Sequence, residues 1–383
     1  MIRALHGQGQ STRVELARDL GLSPATVTRI VTRLVEEGLL TEGASLKRAA
    51  VGRRPTVVAL NGSAFNLVGI DISDNILTAA LVTFGGEVTH LRSYRLPTSG
   101  KNKAVTVVER AVDELIQLAE GDELTVRGVG IGAPGTTDIT TGHVLWAPAL
   151  QWRDLPLRAL IEKRCGLPTF VENNINLAAF GEYWFGAARG ADPAVFFYLG
   201  EGIGAGLIVG GAIFRGAHNS AGEVGYILPS RAHLEGEHRE VGAMESVASG
   251  AGLTALARIA ATGTSAAGRS GSKKRVRVAD VLSNADETPG TRALAAELID
   301  YIAMTTVAIV SVLDPEIVVL GGDQAASPWL VDAVTERLER VAPTTPAVVL
   351  SALGAQAGVL GAAALALLEV EHLHLTTRGV VNA

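Results

Sequence analysis

Two sets of residues in this 383-residue chain are of types and spacings that do chemistry. The first lies near the start, where Ser23, Ala25, Thr26, Thr28, Arg29, Thr32 and Arg33 fall in one stretch and Arg53 and Arg54 stand between Gly52 and Pro55. Short hydroxyl side chains beside guanidinium groups suit hydrogen bonding to base edges and phosphates. The second set is three glycine clusters: Gly130-Ile131-Gly132-Ala133-Pro134-Gly135, Gly200-Glu201-Gly202-Ile203-Gly204-Ala205-Gly206, and Leu320-Gly321-Gly322-Asp323. Glycine backbones can cradle phosphate with their N–H groups, and they serve tight turns equally well. The single cysteine, Cys165, excludes an internal disulfide and any zinc site needing two thiolates, as expected in a reducing cytoplasm.

The elements that must position these residues follow from charge and periodicity. Net charge is −6, yet residues 1–60 carry nine basic against five acidic side chains, a surplus of +4 that leaves −10 on the remainder. A small basic module on a large acidic one is the pattern of a chain whose module alone meets a polyanion; chance clustering on a solvated face is the alternative. With 48% hydrophobic and 19% charged residues the chain has a globular balance, and aromatics at 4% are too scarce for base-stacking platforms. No leader with an apolar core and a small-residue cleavage site is present, and no 18-residue stretch is free of polar groups, so we expect neither export nor a membrane span.

The run from Ser11 to Leu20 opens on a hydroxyl cap and repeats apolar residues at helical spacing until Gly21 ends it. Ser23 caps a second helix with Pro24 at its first position, running to about Glu37. On that helix Val27, Ile30, Val31 and Leu34 share one side, while Ala25, Thr28, Arg29 and Thr32 face the other. This describes a helix-turn-helix with its recognition helix, followed by a two-stranded wing through Lys47-Arg48, Gly52-Arg53-Arg54-Pro55 and Thr56-Val57-Val58-Ala59-Leu60. A helical protein-interaction or dimerisation domain is the competing interpretation. The ten residues ahead of Ser11 are few for a further helix before this motif, so either that helix is short or the given start lies too far downstream.

From Leu67 the pattern becomes β-rich: 67–72, 76–82 and a third run from Val88, separated by turns. The same grammar returns at 194–200, 204–209 and 212–214, which predicts a duplicated lobe. Helical patterns (103–120, 246–261) and single strands (125–132, 316–320) follow each copy, predicting mixed α/β layers and a ligand cleft between two lobes. The stretch 262–274 reads as an exposed loop.

Taken together the motifs resemble the ROK family, which joins bacterial sugar kinases on an actin-like fold with repressors carrying a winged helix-turn-helix. The matching residues are Ser23-Pro24-Ala25-Thr26-Val27-Thr28-Arg29, Gly52-Arg53-Arg54-Pro55, Gly132-Ala133-Pro134-Gly135, Val171-Glu172-Asn173-Asn174-Ile175-Asn176, Gly202-Ile203-Gly204-Ala205-Gly206, Gly222-Glu223-Val224-Gly225-Tyr226 and Met244-Glu245-Ser246-Val247-Ala248-Ser249-Gly250. The resemblance implies an N-terminal winged helix-turn-helix over residues 1–61 and a two-lobed actin-like, ribonuclease H-like body over 62–383. It implies DNA contacts from Ser23, Ala25, Thr26, Thr28, Arg29, Thr32, Arg33, Arg53 and Arg54, and effector contacts from Asn173, Asn174, Glu223, Tyr226 and Glu245.

The departures from the family are equally informative. Where the family's kinases carry the general-base Asp, this chain has Asn174, and an amide cannot accept the sugar's proton. Where they place a Gly-Gly-Thr turn for nucleotide phosphates after the first-strand Asp, here Asp71-Ile72 is followed by Ser73-Asp74-Asn75. Tyr226 replaces the family's zinc-binding His and 231–243 holds no cysteine, so neither zinc nor another cofactor is implied. His233, Glu235, Glu237 and His238 read as a solvated loop rather than a metal site. Ala149 stands where the family often has a sugar-contacting Asn. We therefore expect a cytoplasmic, homo-oligomeric regulator, probing a palindromic operator and sensing a sugar or sugar derivative, with no phosphotransfer. An active sugar kinase that also binds DNA and a ligand-independent DNA-binding scaffold are the alternatives.

Overall fold

The computed structural model describes residues 1–44, 56–73, 75–97, 101–200, 202–238, 240–250, 252, 289–322 and 328–380. Lys47, Arg48, Gly52, Arg53, Arg54, Pro55, Asp74, Glu201, Asp323, the stretch 262–274 and most of the helical pattern over 246–261 lie outside the described residues.

The chain begins with α1 (Ile2–Gln8) and a three-residue strand, β1 (Gln10–Thr12). Thr12 caps α2 (Arg13–Asp19) with a full capping box, its hydroxyl accepting from the Glu15 N–H while the Glu15 carboxylate accepts from the Thr12 N–H. The cap is thus one residue later than Ser11, which is buried in β1 opposite Val58. Gly21, at φ 62°, turns the chain into α3 (Pro24–Glu36), which Ser23 caps by accepting from the Thr26 N–H. Fully buried Val27 and Val31 pack α3 onto Leu5, Leu16, Leu40 and Val58. Two antiparallel strands follow, β2 (Leu40–Ala44) and β3 (Thr56–Leu60), and β1 pairs with the far edge of β3. The wing expected with two strands is therefore part of a three-stranded sheet; β1 is too short for its alternation to show in the sequence.

The body opens with a meander, β4 (Asn66–Ser73), β5 (Ile76–Thr83) and β6 (Val88–Arg95), then α4 (Lys101–Gly121) and β7 (Val126–Ala133) parallel to β4. A small antiparallel sheet of β8 (Thr136–Asp138), β9 (His143–Ala147) and β10 (Trp152–Leu155) precedes α5 (Leu157–Cys165) and β11 (Thr169–Asn173), which is parallel to β7. Next come α6 (Asn174–Phe185), a second meander of β12 (Ala194–Leu199), β13 (Ile203–Val209) and β14 (Ala212–Ile213), and the short α7 (Glu245–Ala248). The remainder is α8 (Pro289–Leu313), β15 (Ile317–Gly321), α9 (Pro328–Val341), β16 (Ala347–Leu350) and α10 (Ala357–Val380). The two sheets run β11-β7-β4-β5-β6 and β14-β13-β12-β15-β16. These are one topology used twice: an antiparallel meander with two parallel strands added beside its first strand. The duplicated lobe expected from the sequence is present in the sheets.

The described residues fall into two units, one within Met1–Asn174 and Val359–Ala383, the other within Ile175–Gly358. In the first unit Val68, Ile70, Val129 and Ile131 point to the core under α4, so by alternation Gly69, Gly128 and Gly130 line the opposite face. There the backbone of α10 lies so close that a Cβ at Gly69 or Gly130 would run into the carbonyl oxygen of Val359 or Ala362. The second unit repeats the device: Gly204 and Gly206 of β13 meet Ile175 and Ala179 of α6, while Ala205 faces the core. Helix α8 is long and apolar enough to cross a membrane by length and composition, but Leu298, Ile299, Ile302 and Ile309 are core residues of the second unit.

Candidate functional site

Helix α3 presents the polar face expected of it. Ala25, Thr28, Arg29, Thr32 and Arg33 are exposed, and the capping pair Ser23 and Thr26 share a hydroxyl hydrogen bond of 2.8 Å at its start. Arg33 also pairs with Glu37 at 3.0 Å one turn on, whereas no side-chain partner occurs for Arg29 among the described residues. Arg53 and Arg54 are not described, so their part in this surface rests on sequence alone.

The expected effector residues divide by unit. At the end of β11 in the first unit, Asn173 donates from Nδ2 to the Gly135 carbonyl at 2.9 Å. Asn174 opens α6 and donates from Nδ2 to the Ile72 carbonyl and to Ser73 Oγ, both at 3.0 Å. Ser73 Oγ in turn donates to Asp71 Oδ2 at 2.9 Å. Both Asn174 partners are used as acceptors, so this corner requires a side chain that donates. A carboxylate at 174 would set oxygen against the Ile72 carbonyl. The resemblance to the family's kinases implies that Ser73 stands where they carry a glycine, but not that its hydroxyl links residue 174 to Asp71, because that contact joins positions 101 apart in the chain.

Glu223, Tyr226 and Glu245 gather in the second unit. Glu223 precedes a single 3₁₀ turn, Val224–Tyr226, and Glu245 begins α7. Gly225 leaves room for the Glu245 carboxylate: a Cβ there would come within 3.1 Å of Oε2. The protein around Glu223 raises its carboxyl above the usual range by desolvation, although the residue as a whole is exposed, so the effect is small. Burial, then the charge of Glu223, raises Glu245, and the Tyr226 phenol is raised by burial and by both carboxylates. Two acids with a phenol beside them suit a ligand rich in hydroxyl donors; no ion pair of Glu223 or Glu245 with a Lys or Arg occurs among the described residues. Nearby, His233 bonds Ser230 and His238 bonds the His233 carbonyl; no group of three or more His, Cys, Asp or Glu able to hold a metal occurs among the described residues.

Several of the cluster glycines are taken up by packing, whereas a Cβ at Gly202 would meet only the Glu245 carboxylate, at 3.4 Å. Gly130, Gly204 and Gly206 lie under helices, Gly135 (φ 77°) backs onto the Trp146 carbonyl, and a side chain at Gly321 would enter the Phe196 ring.

Comparison with known proteins places these features. Residues 67–369 match the ROK family and residues 1–41 the winged helix-turn-helix DNA-binding family. The chain is 32% identical over 221 residues to the xylose repressor of Caldicellulosiruptor bescii, covering 56% of this chain and 54% of that protein. It spans about half the length of the curated repressors it matches. It is 31% identical over 315 residues to the glucokinase of Halalkalibacterium halodurans, covering 77% of this chain and 92% of that enzyme. Among solved structures, a ROK family transcriptional regulator homologous to the E. coli MLC protein superposes with a TM-score of 0.76 over 92% of this chain and 90% of its own at 24% identity, a likeness of fold. A ROK family glucokinase from Streptomyces griseus, in complex with glucose and AMPPNP, gives 0.65 over 79% of this chain and 99% of its own at 30% identity.

Proposed function

The chain belongs to the ROK family, and on that premise we propose that it is a DNA-binding transcriptional repressor whose body senses a sugar or sugar derivative without phosphorylating it. The observation that carries this reading is the exposed polar face of α3, with Ala25, Thr28, Arg29, Thr32 and Arg33 outward and Val27 and Val31 fully buried. The xylose repressor relative supports it. The DNA-binding head occupies residues 1–61 and the sensing body 62–383; the chain works in the cytoplasm as a dimer or tetramer on a palindromic, AT-rich operator. Thr28 and Arg29 face base edges, and Arg53 and Arg54 contact backbone or minor groove. Asn173, Asn174, Glu223, Tyr226 and Glu245 hydrogen-bond the effector's hydroxyls; with Tyr226 where the family has a His and Ala149 where it often has an Asn, either specificity differs from glucose-type members or affinity is lower.

The repressor reading also holds that kinase chemistry is gone. Phosphoryl transfer to a sugar needs a base on the hydroxyl, and the Asn174 amide hydrogens are committed to Ile72 and Ser73. A sugar-kinase reading is favoured by the long match to the H. halodurans glucokinase. Incubation with ATP and a panel of pentoses, hexoses and amino sugars separates the two. The repressor reading expects no sugar phosphate and expects one of these sugars to change the affinity for a duplex selected from a random-sequence pool. Sugar-dependent ATP turnover would establish the kinase instead.

A further inference from the structure

Arg13 was absent from the residues expected on the DNA face, yet it lies on it. The side chain leaves the first residue of α2 and forms a fork on Glu42 of β2, Nε to Oε1 at 2.7 Å and Nη2 to Oε2 at 2.9 Å. Its remaining N–H groups reach the exposed side of the recognition helix: Nη1 approaches the Thr28 carbonyl at 3.4 Å and the Thr32 hydroxyl at 3.5 Å. One guanidinium therefore spans α2, α3 and the wing strand. About a quarter of each side chain in the ion pair is open, 28% for Arg13 and 27% for Glu42. Pairs this exposed contribute about 0–1 kcal/mol to stability, so stability alone does not account for an acid placed on a surface built to meet phosphates.

The alternative is that the pair acts on recognition. A free arginine at this position would bind phosphate indiscriminately and add to non-specific affinity. Tied to Glu42, it adds no net charge, and its planar fork fixes the angle of α3 to the wing. Building on the DNA-binding reading, we propose that Arg13 is a positioning residue for sequence recognition: Glu42 holds its guanidinium against Thr28 and Thr32, so the pair raises discrimination between sequences rather than overall affinity.

The test uses the full chain and two fluorescent duplexes, one selected by the wild type from a random-sequence pool and one with that sequence scrambled, each titrated at several salt concentrations. With Glu42→Gln the scrambled duplex binds 3- to 10-fold tighter and its log–log salt slope steepens by about 0.9, one extra phosphate contact. The selected duplex gains less, so discrimination falls about two- to five-fold, or ~0.4–1 kcal/mol. Arg13→Lys keeps the charge but loses the fork, and discrimination falls by a similar factor although melting of the full chain is unchanged. Equal shifts on both duplexes in both variants, or full discrimination in Arg13→Lys, overturn the proposal while leaving DNA binding intact. Failure of the wild type to select any duplex removes the DNA-binding reading itself, and this proposal with it.

Discussion

At the scale of single residues, position 174 decides between chemistry and structure. Its amide donates twice, to Ile72 and Ser73, and Ser73 passes the chain of hydrogen bonds to Asp71. Asn174→Asp should lower stability by about 1–3 kcal/mol at neutral pH, because two donors become acceptors facing a carbonyl and a hydroxyl. The deficit should shrink in acid, where a protonated carboxyl recovers one donor, and thermal melting across pH checks both. The acids of the second unit carry the opposite sign of information. Folding raises the carboxyls of Glu223 and Glu245, so the native state holds their protons more tightly than the unfolded chain, and their ionisation opposes folding. Glu245→Gln should raise the melting temperature by about 1–3 °C at pH 7, and Glu223→Gln, at an exposed position, by less; both gains disappear below about pH 4, where both states are protonated. A site less stable than its amide counterpart is what a ligand-binding role leaves behind. Arg29, exposed on α3 with no side-chain partner among the described residues, should behave differently again: Arg29→Ala removes about 1–3 kcal/mol of discrimination at one base pair, seen as relaxed preference when duplexes are selected anew.

At the scale of elements, glycine separates what the sequence displays from what it hides. The caps at Ser23 and Pro24, the apolar stripe of Val27 and Val31, and both meanders are local patterns, and each is realised within a residue or two. For the glycines of β7 and β13, a cluster alone does not say what approaches it. Their period of two was the available signal: Gly128 and Gly130 alternate with Val129 and Ile131, as on one face of a strand, and the facing partner is a helix more than 200 residues away. The Arg13 fork and the Ser73 link were hidden for the same reason, being contacts between distant segments. Gly130→Ala should therefore abolish folding or lower stability by more than about 3 kcal/mol, since its Cβ meets backbone that cannot yield. Gly7→Ala is the control, for nothing lies within 4 Å of that position in α1, and it should stabilise by about 0.5–1 kcal/mol. Chemical denaturation of the two variants measures both effects.

At the scale of the whole molecule, the winged head is fastened to the first lobe rather than strung on a free linker. The Asn61 side chain donates to the Gly38 carbonyl at 2.8 Å, and the Gly85 N–H donates to Gly62 at 3.0 Å. Beside them the His6 ring of α1 stands edge-on to Phe84, Phe84 packs on Phe65 with centroids 4.8 Å apart, and the Arg127 guanidinium lies 4.5 Å over Phe65. A ligand-driven change in the first unit thus carries the head with it, provided the ligand binds one state better than the other. Phe84→Ala should lower stability by about 3–5 kcal/mol and speed hydrogen exchange in α1. The central claim, a sugar sensor coupled to DNA without phosphotransfer, is tested most directly by titrating the wild-type chain on its selected duplex with each sugar of the panel while ATP is followed in the same solution. One sugar should shift duplex affinity by about ten-fold or more, ~1.4 kcal/mol of coupling, while ATP stays constant. Sugar-dependent loss of ATP, or a duplex affinity unmoved by every sugar, would contradict it.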